Sequence, residues 1–518
     1  MIHAMTSAQR RPTAQSQQSL DSIIWSICDI LRRSNCASAI QYVPELTWIL
    51  FLRILDERES REAEDARAVG DPYTESLEAP YRWRDWAAPG SKLRDELFNA
   101  GSNKFFAFVN GDLLNYLKSL EKRPNATEKQ KVISEILSGV ERVRVDTEKN
   151  FLDVLDKVHH IPDDLDARHY FMLSQVYEGL LLKMGEKAGD GGQFFTPRQV
   201  IRAIVKVIDP QVGQTVYDPC CGTGGFLAEA AKHMRESLKA DATPRHLDTL
   251  RTKTFFGREK ENLVYPIALA NLVLHEIDRP NIWHGNTLTD HVTYDGLFRE
   301  APAQFDVILT NPPFGGKEGA EAQTKFAYKT SSTQSLFLQH VIDHLKDGGR
   351  CGMVIDEGVL FRTNEKAFVQ TKRKLLDSCD LWCVISLPAG VFTAAGAGVK
   401  TNLLFFTKGK TTEKVWYYDL SDIKTGKTRP FILKHLDDFF ERFSKRRTEA
   451  GNSERSWWLD RKTIEDRNYD LKAVNPNRKT EQDTRTPAEL LDLIQAKGKE
   501  VEAAVSKLRA LLSEPSGR

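Results

Sequence analysis

At 518 residues the chain is too long for one ordinary domain and fits two or three. Hydrophobic residues at 41% and charged residues at 28% read as a soluble, globular chain with a normal core. A net charge of +1 excludes a global electrostatic pull on nucleic acid, and the lack of any run of about 18 apolar residues excludes a transmembrane helix.

Residues 1–19 are polar and lack the apolar stretch of a secretory signal, which predicts a disordered leader. The first third, 20–186, reads as an all-helical domain. Leu20, Ile23, Ile24, Ile27, Ile30 and Leu31 recur at helical spacing. A second helix is expected from about Glu45, after Pro44, through ELTWILFLRILDERES. Residues 146–151 and the run HYFMLSQVYEGLLLKMGE extend the helical character to about 186. These stripes read as core.

The break EKAGDGGQ opens a different pattern, in which short β-branched runs alternate with helical segments over 187–420. Strands are expected at 215–218, 254–257, 306–310, 350–355, 381–387, 402–407 and 415–418. Strands joined by helix-length connections predict an α/β fold: a mostly parallel, Rossmann-like, doubly wound sheet with helices on both faces. Its binding crevice lies at the carboxyl ends of the strands. The remainder, 421–518, loses the strand pattern and reads as helical. Thr486, Pro487 and Glu489 form a strong helix start, so a helix is expected over about 486–513. Its seam of Leu491, Ile494, Val501, Val505, Leu508 and Leu512, with a gap around Gly498, needs a partner helix, in this chain or in another.

The seven cysteines are odd in number and scattered, which suits a reducing cytoplasm and not a disulfide framework. Cys379 and Cys383 lack a second ligand pair, and His340 and His344 lack an acid at the zinc-protease position. No metal is expected, and the histidine pair reads as part of an amphipathic helix.

Two motifs carry chemistry. The first is DPCCGTGGF, from Asp218 through Gly222, Thr223, Gly224 and Gly225 to Phe226, placed between a strand and a helix, where glycines let a ligand approach the backbone. It lacks the Gly-Lys-Ser/Thr of a phosphate-binding loop and the third glycine of a dinucleotide fingerprint. Glu259 follows the next strand and is placed to bind both hydroxyls of a ribose. The second motif is NPPFGG, directly after FDVILT. Pro312 and Pro313 stiffen the backbone, so the Asn311 side chain and the Pro312 carbonyl become two acceptors aimed at one amino group. Phe314 offers a stacking face. Accepting both hydrogens of an exocyclic amine in tetrahedral geometry returns electron density to its nitrogen, with no acid–base histidine required.

DPxxGTGGF followed by NPPF resembles the amino-methyltransferases, and the surrounding sequence resembles the modification subunits of type I restriction–modification enzymes. The resemblance spans roughly residues 20 to 410. GGQFFTPRQV, GNTL, GGRCGMVIDEGVLF and LPAGVFTAAGAGVKTNLLFFTKG are similar to further blocks of that family. The order of the parts resembles the γ arrangement. The resemblance implies S-adenosylmethionine as cofactor, held by Asp218, the 222–226 loop and Glu259 and covered by Gly192, Gln193, Phe194, Phe195, Thr196 and Pro197. The GNTL loop, with Asn286 and Leu288, would read the cofactor's adenine; Asn286 stands where many relatives carry aspartate. Cys220 and Cys221 are read as small fillers.

The implied activity is methylation of adenine N6 in DNA, on a base flipped from the duplex. Lys317, Lys325, Lys329 and Lys400 lie beside the motif loops as candidate phosphate contacts, with solvated lysines as the equal alternative. The run 445–447 reads rather as a solvated helix face. No module for reading base edges, no nuclease and no complete Walker A motif is evident, since Gly409-Lys410-Thr411 and Gly426-Lys427-Thr428 both lack its first glycine. A separate specificity subunit is therefore expected. The family adds restriction subunits, two modification subunits per specificity subunit, and a bacterial or archaeal cytoplasm. Cytosine N4, a protein glutamine, or a non-catalytic cofactor-binding scaffold remain the alternatives.

Overall fold

The computed structural model describes residues 14–101, 103–161, 196–238, 242–393, 398–426, 429–446, 448, 451–477 and 486–513. The expected helical run at 169–186 and the residues Gly192, Gln193, Phe194 and Phe195 lie outside them. A helix already spans Ala14–Arg33. The leader expected over 1–19 therefore gives way to helix at residue 14, where AQSQQS supplies good helix formers.

The second helix starts at Ala39, ahead of the expected Glu45, and runs to Val69. Ser38 provides the cap: its backbone is extended, and its N–H donates to Gln41 Oε1 at 3.2 Å. Pro44 thus lies inside the helix, where its missing N–H removes a single backbone bond. This helix, with Glu128–Leu137, packs against Val264–Leu274 of the following α/β region. Trp48, Phe51, Trp83, Trp86, Phe105 and Phe151 fill the helical core. Arg58, paired with Asp278, and Arg279, 3.4 Å from Glu128, add polar ties to the α/β region.

Among the described residues the sheet has ten strands: β1 (Val216–Asp218), β2 (Phe255–Glu259), β3 (Asn281–Asn286), β4 (His291–Tyr294), β5 (Phe305–Thr310), β6 (Leu345–Asp356), β7 (Cys379–Ser386), β8 (Thr401–Lys408), β9 (Lys414–Asp419) and β10 (Ser456–Asp460). Their order is β10-β9-β7-β8-β6-β5-β1-β2-β3-β4. The run from β6 to β3 is parallel, as is β7 with β9, whereas β8 is antiparallel to both its neighbours and β4 and β10 close the ends antiparallel. The sheet is doubly wound and mixed. β1 is flanked by β5 and β2, so its carboxyl end opens at the point where the strand order reverses.

All seven expected strands are present; β3, β4 and β10 were not foreseen. In β3 the inward-facing Asn281 breaks the apolar pattern, and its side chain is satisfied by the Phe255 carbonyl at 3.1 Å. β10 corrects the expectation that strands end before 421. It is a short edge strand whose Trp457 pairs in register with Tyr417 and stacks on it at 5.5 Å. The helix Thr333–His344 is also not amphipathic. It is buried along residues 333–342, because its polar side chains are hydrogen-bonded internally, Gln339 with both the N–H and the carbonyl of Tyr328.

Residues 476–518 form a separate unit. Within it a helix spans Pro487–Ser513 without a break at Gly498. Thr486 and Glu489 form the expected capping box: Glu489 N–H donates to Thr486 Oγ1 at 3.3 Å, and Thr486 N–H returns the bond at 2.6 Å. Leu491, Ile494, Val501 and Val505 are exposed on it. No described helix is long and apolar enough to cross a membrane.

Candidate active site

β1 delivers Asp218 to the sheet end, and the chain turns through 219–224 into the helix Gly225–Leu238. Gly222 and Gly224 take φ of +54° and +80°, a region open mainly to glycine. A Cβ at Gly224 would also meet Leu272 at 3.1 Å. The turn is tied down from three sides. Asn271 donates to the Thr223 carbonyl at 2.8 Å, Thr287 donates to the Pro219 carbonyl at 2.6 Å, and the Gly222 N–H donates to Glu259 Oε2 at 2.8 Å.

Glu259, buried at the end of β2, also accepts the N–H groups of Lys260 at 2.9 Å and Glu261 at 2.8 Å on Oε1. Burial pushes its carboxyl up to about 7 against those three donors. Asp218 is raised by burial to about 7 as well, against a 2.7 Å bond from the Thr310 hydroxyl and a 3.2 Å bond from the Cys220 N–H. The Thr310 hydroxyl has one hydrogen and gives it to Asp218, so it accepts from the Cys220 thiol 3.1 Å away. Burial raises both adjacent thiols, Cys220 and Cys221, and keeps them protonated. A protonated thiol is a poor nucleophile, which suits the two side chains to filling space.

Thr310 ends β5, so the bond to Asp218 joins the two motif-bearing strand ends directly. Asn311 follows. Its Nδ2 donates to Thr196 Oγ1 at 2.9 Å, while its Oδ1 is buried without a hydrogen-bond partner among the described residues. The Pro312 carbonyl accepts from Gln334 Nε2 at 2.9 Å. Phe314 meets the buried Phe392 edge-on, with centroids 5.2 Å apart and planes at 81°. Phe226 and Leu288 are buried, and Asn286 Oδ1 accepts the Leu288 N–H at 3.0 Å, which leaves that oxygen one further lone pair. Thr196 and Pro197 are half-buried just ahead of the helix Arg198–Ile208.

The predicted residues that are described therefore gather at the ends of β1, β2, β3 and β5. The four lysines are exposed. Lys325 is the most engaged of them, bound to Asp290 at 3.1 Å and to the Thr289 carbonyl. Lys317 lines a cavity of about 110 Å³ that Gln334, Asp356 and Arg362 share. Arg446, expected on a solvated helix face, lies over the rings of Phe443 and Trp382, because a guanidinium stacks readily on aromatic faces. His340 is buried, neutral by desolvation, 3.1 Å from the Tyr217 hydroxyl and stacked on His344. Among the described residues no group of three or more His, Cys, Asp and Glu is arranged to hold a metal.

Five residues of the site escaped the sequence reading: Asn271, Thr287, Thr310, Gln334 and Phe392. Thr310 had a usable signal, a hydroxyl closing an otherwise apolar strand next to Asn311. Gln334 had none, since it comes from a helix distant in sequence.

A buried acceptor without a donor, next to a stiff Pro-Pro turn, suits an incoming N–H group and no proton-transfer role. A family model described as N-6 DNA Methylase matches residues 168–485, and one described as HsdM N-terminal domain matches residues 20–158. The methylase subunit of the type I restriction enzyme EcoEI from Escherichia coli is 32% identical over 509 residues, covering 95% of this chain and 98% of that one. A chain from a structure of the type I R-M system is 36% identical, with a TM-score of 0.72, and covers 97% of this chain and 99% of its own. A modification subunit from Vibrio vulnificus YJ016 is 31% identical, with a TM-score of 0.75, over 91% of this chain and 99% of its own.

Proposed function

The chain belongs to the N-6 DNA methylase family as a methylase subunit of type I restriction enzymes, and from that premise we propose how its strand-end site carries out the methylation. Adenine N6 in DNA is the acceptor. S-adenosylmethionine, when bound, supplies a methyl group on a positively charged sulfur. Gly222 to Phe226, Asp218 and Glu259 hold it, with Thr196, Pro197, Asn286 and Leu288 around it and the 192–195 segment as its cover. The donor set fits this ligand: Glu259 Oε2 has one acceptor position left beyond the Gly222 N–H, suited to a ribose hydroxyl.

The buried Asn311 Oδ1, unmatched among the described residues, is the observation that carries this reading. With the target adenine flipped out, Asn311 Oδ1 and the Pro312 carbonyl accept the two N6 hydrogens, Pro313 fixes the turn and Phe314 stacks on the base. Both acceptors favour a pyramidal nitrogen with its lone pair free to react. Bound S-adenosylmethionine would supply the methyl group to that lone pair, its S–C bonding pair staying on sulfur. The same two acceptors stabilise the developing positive charge on N6 until one proton leaves to solvent. Lys317, Lys329 and Lys400 are offered to the DNA phosphates; Lys325 joins them only by giving up part of its bond to Asp290.

A separate specificity subunit chooses the site, two copies of this chain flank it, and restriction subunits complete the assembly in a bacterial or archaeal cytoplasm. The exposed apolar stripe of Pro487–Ser513 supports a helical contact with the specificity subunit. Truncation before Thr486 is expected to leave S-adenosylmethionine binding intact and to weaken specificity-subunit binding on the order of 100-fold, since each buried Leu or Ile is worth about 1.5–3 kcal/mol. Co-purification and titration of the two proteins check this, and unchanged affinity would reassign the stripe.

Glu259 accepts a ribose hydroxyl best as a carboxylate, yet it holds its proton up to about pH 7 in the free protein. S-adenosylmethionine affinity is therefore expected to rise as pH increases through 7, with a proton released on binding. Calorimetry in buffers of different ionisation enthalpy reads that proton directly, and a pH-independent affinity would refute the role. The stability linkage has the opposite sense. A raised carboxyl stabilises the folded free protein below its ordinary range and loses that contribution as pH rises through about 7.

The deciding experiment measures methyl transfer from labelled S-adenosylmethionine to DNA, by this chain alone and with its specificity subunit, followed by nucleoside analysis. Label in N6-methyladenine only with the partner supports the whole reading. Label in N4-methylcytosine or in protein, or specific methylation by the chain alone, would overturn its corresponding part.

A further inference from the structure

Gln334 lies in the first turn of the helix Thr333–His344 and is 2% exposed. Its Nε2 donates to the Pro312 carbonyl at 2.9 Å, and its Oε1 accepts the Asp356 N–H at 2.7 Å. A carbonyl can only accept and a backbone N–H can only donate, so these two partners fix the orientation of the amide without ambiguity. Asp356 is itself held where β6 ends, as the cap of the helix Glu357–Phe361, with its Oδ1 accepting the Val359 N–H at 3.1 Å. The Pro312 carbonyl is thus clamped from behind through one buried side chain to the end of a central strand.

A carbonyl oxygen has two lone pairs. One is taken by Gln334 and one is left. The other acceptor of the site is held in a parallel way, by the single bond from Asn311 Nδ2 to Thr196. Resting on the functional reading above, we propose that Gln334 is a positioning residue for methyl transfer: it fixes the plane of the Pro312 carbonyl and leaves one lone pair directed at the target amine. It touches neither base nor cofactor. Its effect is confined to the geometry of the acceptor, so it acts on the chemical step and hardly on binding.

Two variants test this in the complex with the specificity subunit, at saturating S-adenosylmethionine. Gln334→Leu keeps the volume but removes both bonds. It is expected to lower kcat about 10- to 100-fold, the usual effect of a misplacement of an ångström or less, while the KM for DNA and the affinity for S-adenosylmethionine stay within about 3-fold. Gln334→Glu adds a signature that a packing role lacks. Its ionised form sets a carboxylate against the Pro312 oxygen, whereas its protonated form has one O–H to donate there and one oxygen to accept from the Asp356 N–H. Its kcat relative to wild type is expected to recover as pH falls, and that of Gln334→Leu is not. Lys317, Asp356, Arg362 and Glu365 are the charged neighbours around the adjoining cavity, and normalising to wild type removes every pH dependence the variants share with it, that of Glu259 included. Melting curves establish that each variant is folded at the assay temperature. Should Gln334→Leu fail to fold, the comparison of Gln334→Glu at low and high pH decides within one protein.

A wild-type complex that forms N6-methyladenine, with Gln334→Leu retaining kcat within 3-fold or losing only DNA affinity, would overturn this proposal and leave the functional reading standing. A wild-type complex that binds S-adenosylmethionine and DNA but forms no N6-methyladenine would overturn the functional reading, and the role of Gln334 with it.

Discussion

Asn311→Ala is expected to bind S-adenosylmethionine and DNA at near wild-type strength while transferring methyl groups on the order of 10³-fold more slowly, the loss of about 4 kcal/mol seen when a preorganised hydrogen bond to a developing charge is removed. The reasoning starts from an imbalance in the free protein. Asn311 spends its Nδ2 on Thr196 and keeps Oδ1 buried and unmatched, a cost that alanine removes. Folding therefore does not suffer from the substitution, and the melting temperature should hold or rise slightly. Chemistry does suffer, because the Pro312 carbonyl alone holds only one N6 hydrogen and leaves the amine planar. The interaction strengthens as N6 becomes cationic, so kcat and kcat/KM should fall together. Single-turnover transfer of labelled methyl to specific DNA, beside calorimetric cofactor binding, separates the two. A variant that retains more than a tenth of wild-type kcat would remove Asn311 from the reaction.

Glu259→Ala is expected to fail at the preceding stage. Its carboxylate accepts three backbone N–H groups, from Gly222, Lys260 and Glu261. Alanine leaves those donors unmatched in a buried turn and deletes the acceptor for the ribose. A hydrogen bond to a charged group is worth about 1.5–3 kcal/mol, so losing the one ribose bond should lower S-adenosylmethionine affinity about 10- to 100-fold, with a lowered melting temperature. Isothermal titration and a thermal melt of the same sample measure both. Affinity within 3-fold of wild type would show that the turn binds without its carboxylate.

The sequence was most legible where one strand end met one motif. The seven strands that begin or end in apolar runs, and the two loops DPCCGTGGF and NPPF, could be placed because glycine and proline restrict the backbone whatever surrounds them. Strands that carry an inward-facing polar residue were hidden. Asn281 in β3 looks like a loop residue until the Phe255 carbonyl is there to receive it, and Gln334 and Gln339 made a buried helix look amphipathic for the same reason. The start of the second helix was misplaced because Pro44 is a stronger local signal than the capping pair Ser38 and Gln41. Within the site, the roles of Asn311 and Glu259 were suggested by neighbours in sequence. The residues that brace them, Thr310, Thr287, Asn271 and Gln334, act across the fold, and no local pattern marks such a bond.

The two ends of the sheet bear on how copies of this chain meet other proteins. A ten-stranded sheet has two open margins, each a row of unpaired N–H and C=O groups on which a foreign strand can grow. Here β4 closes one margin with four residues and β10 closes the other with five. Both run against the direction of their neighbours, and β10 ends in Asp460 with Arg461 and Lys462 following. So short a template gives an added strand few backbone bonds before it runs out of register. Recruitment by strand exchange, and the fibrous association that the same chemistry invites, are both discouraged, which leaves assembly to side-chain surfaces that can be separated again.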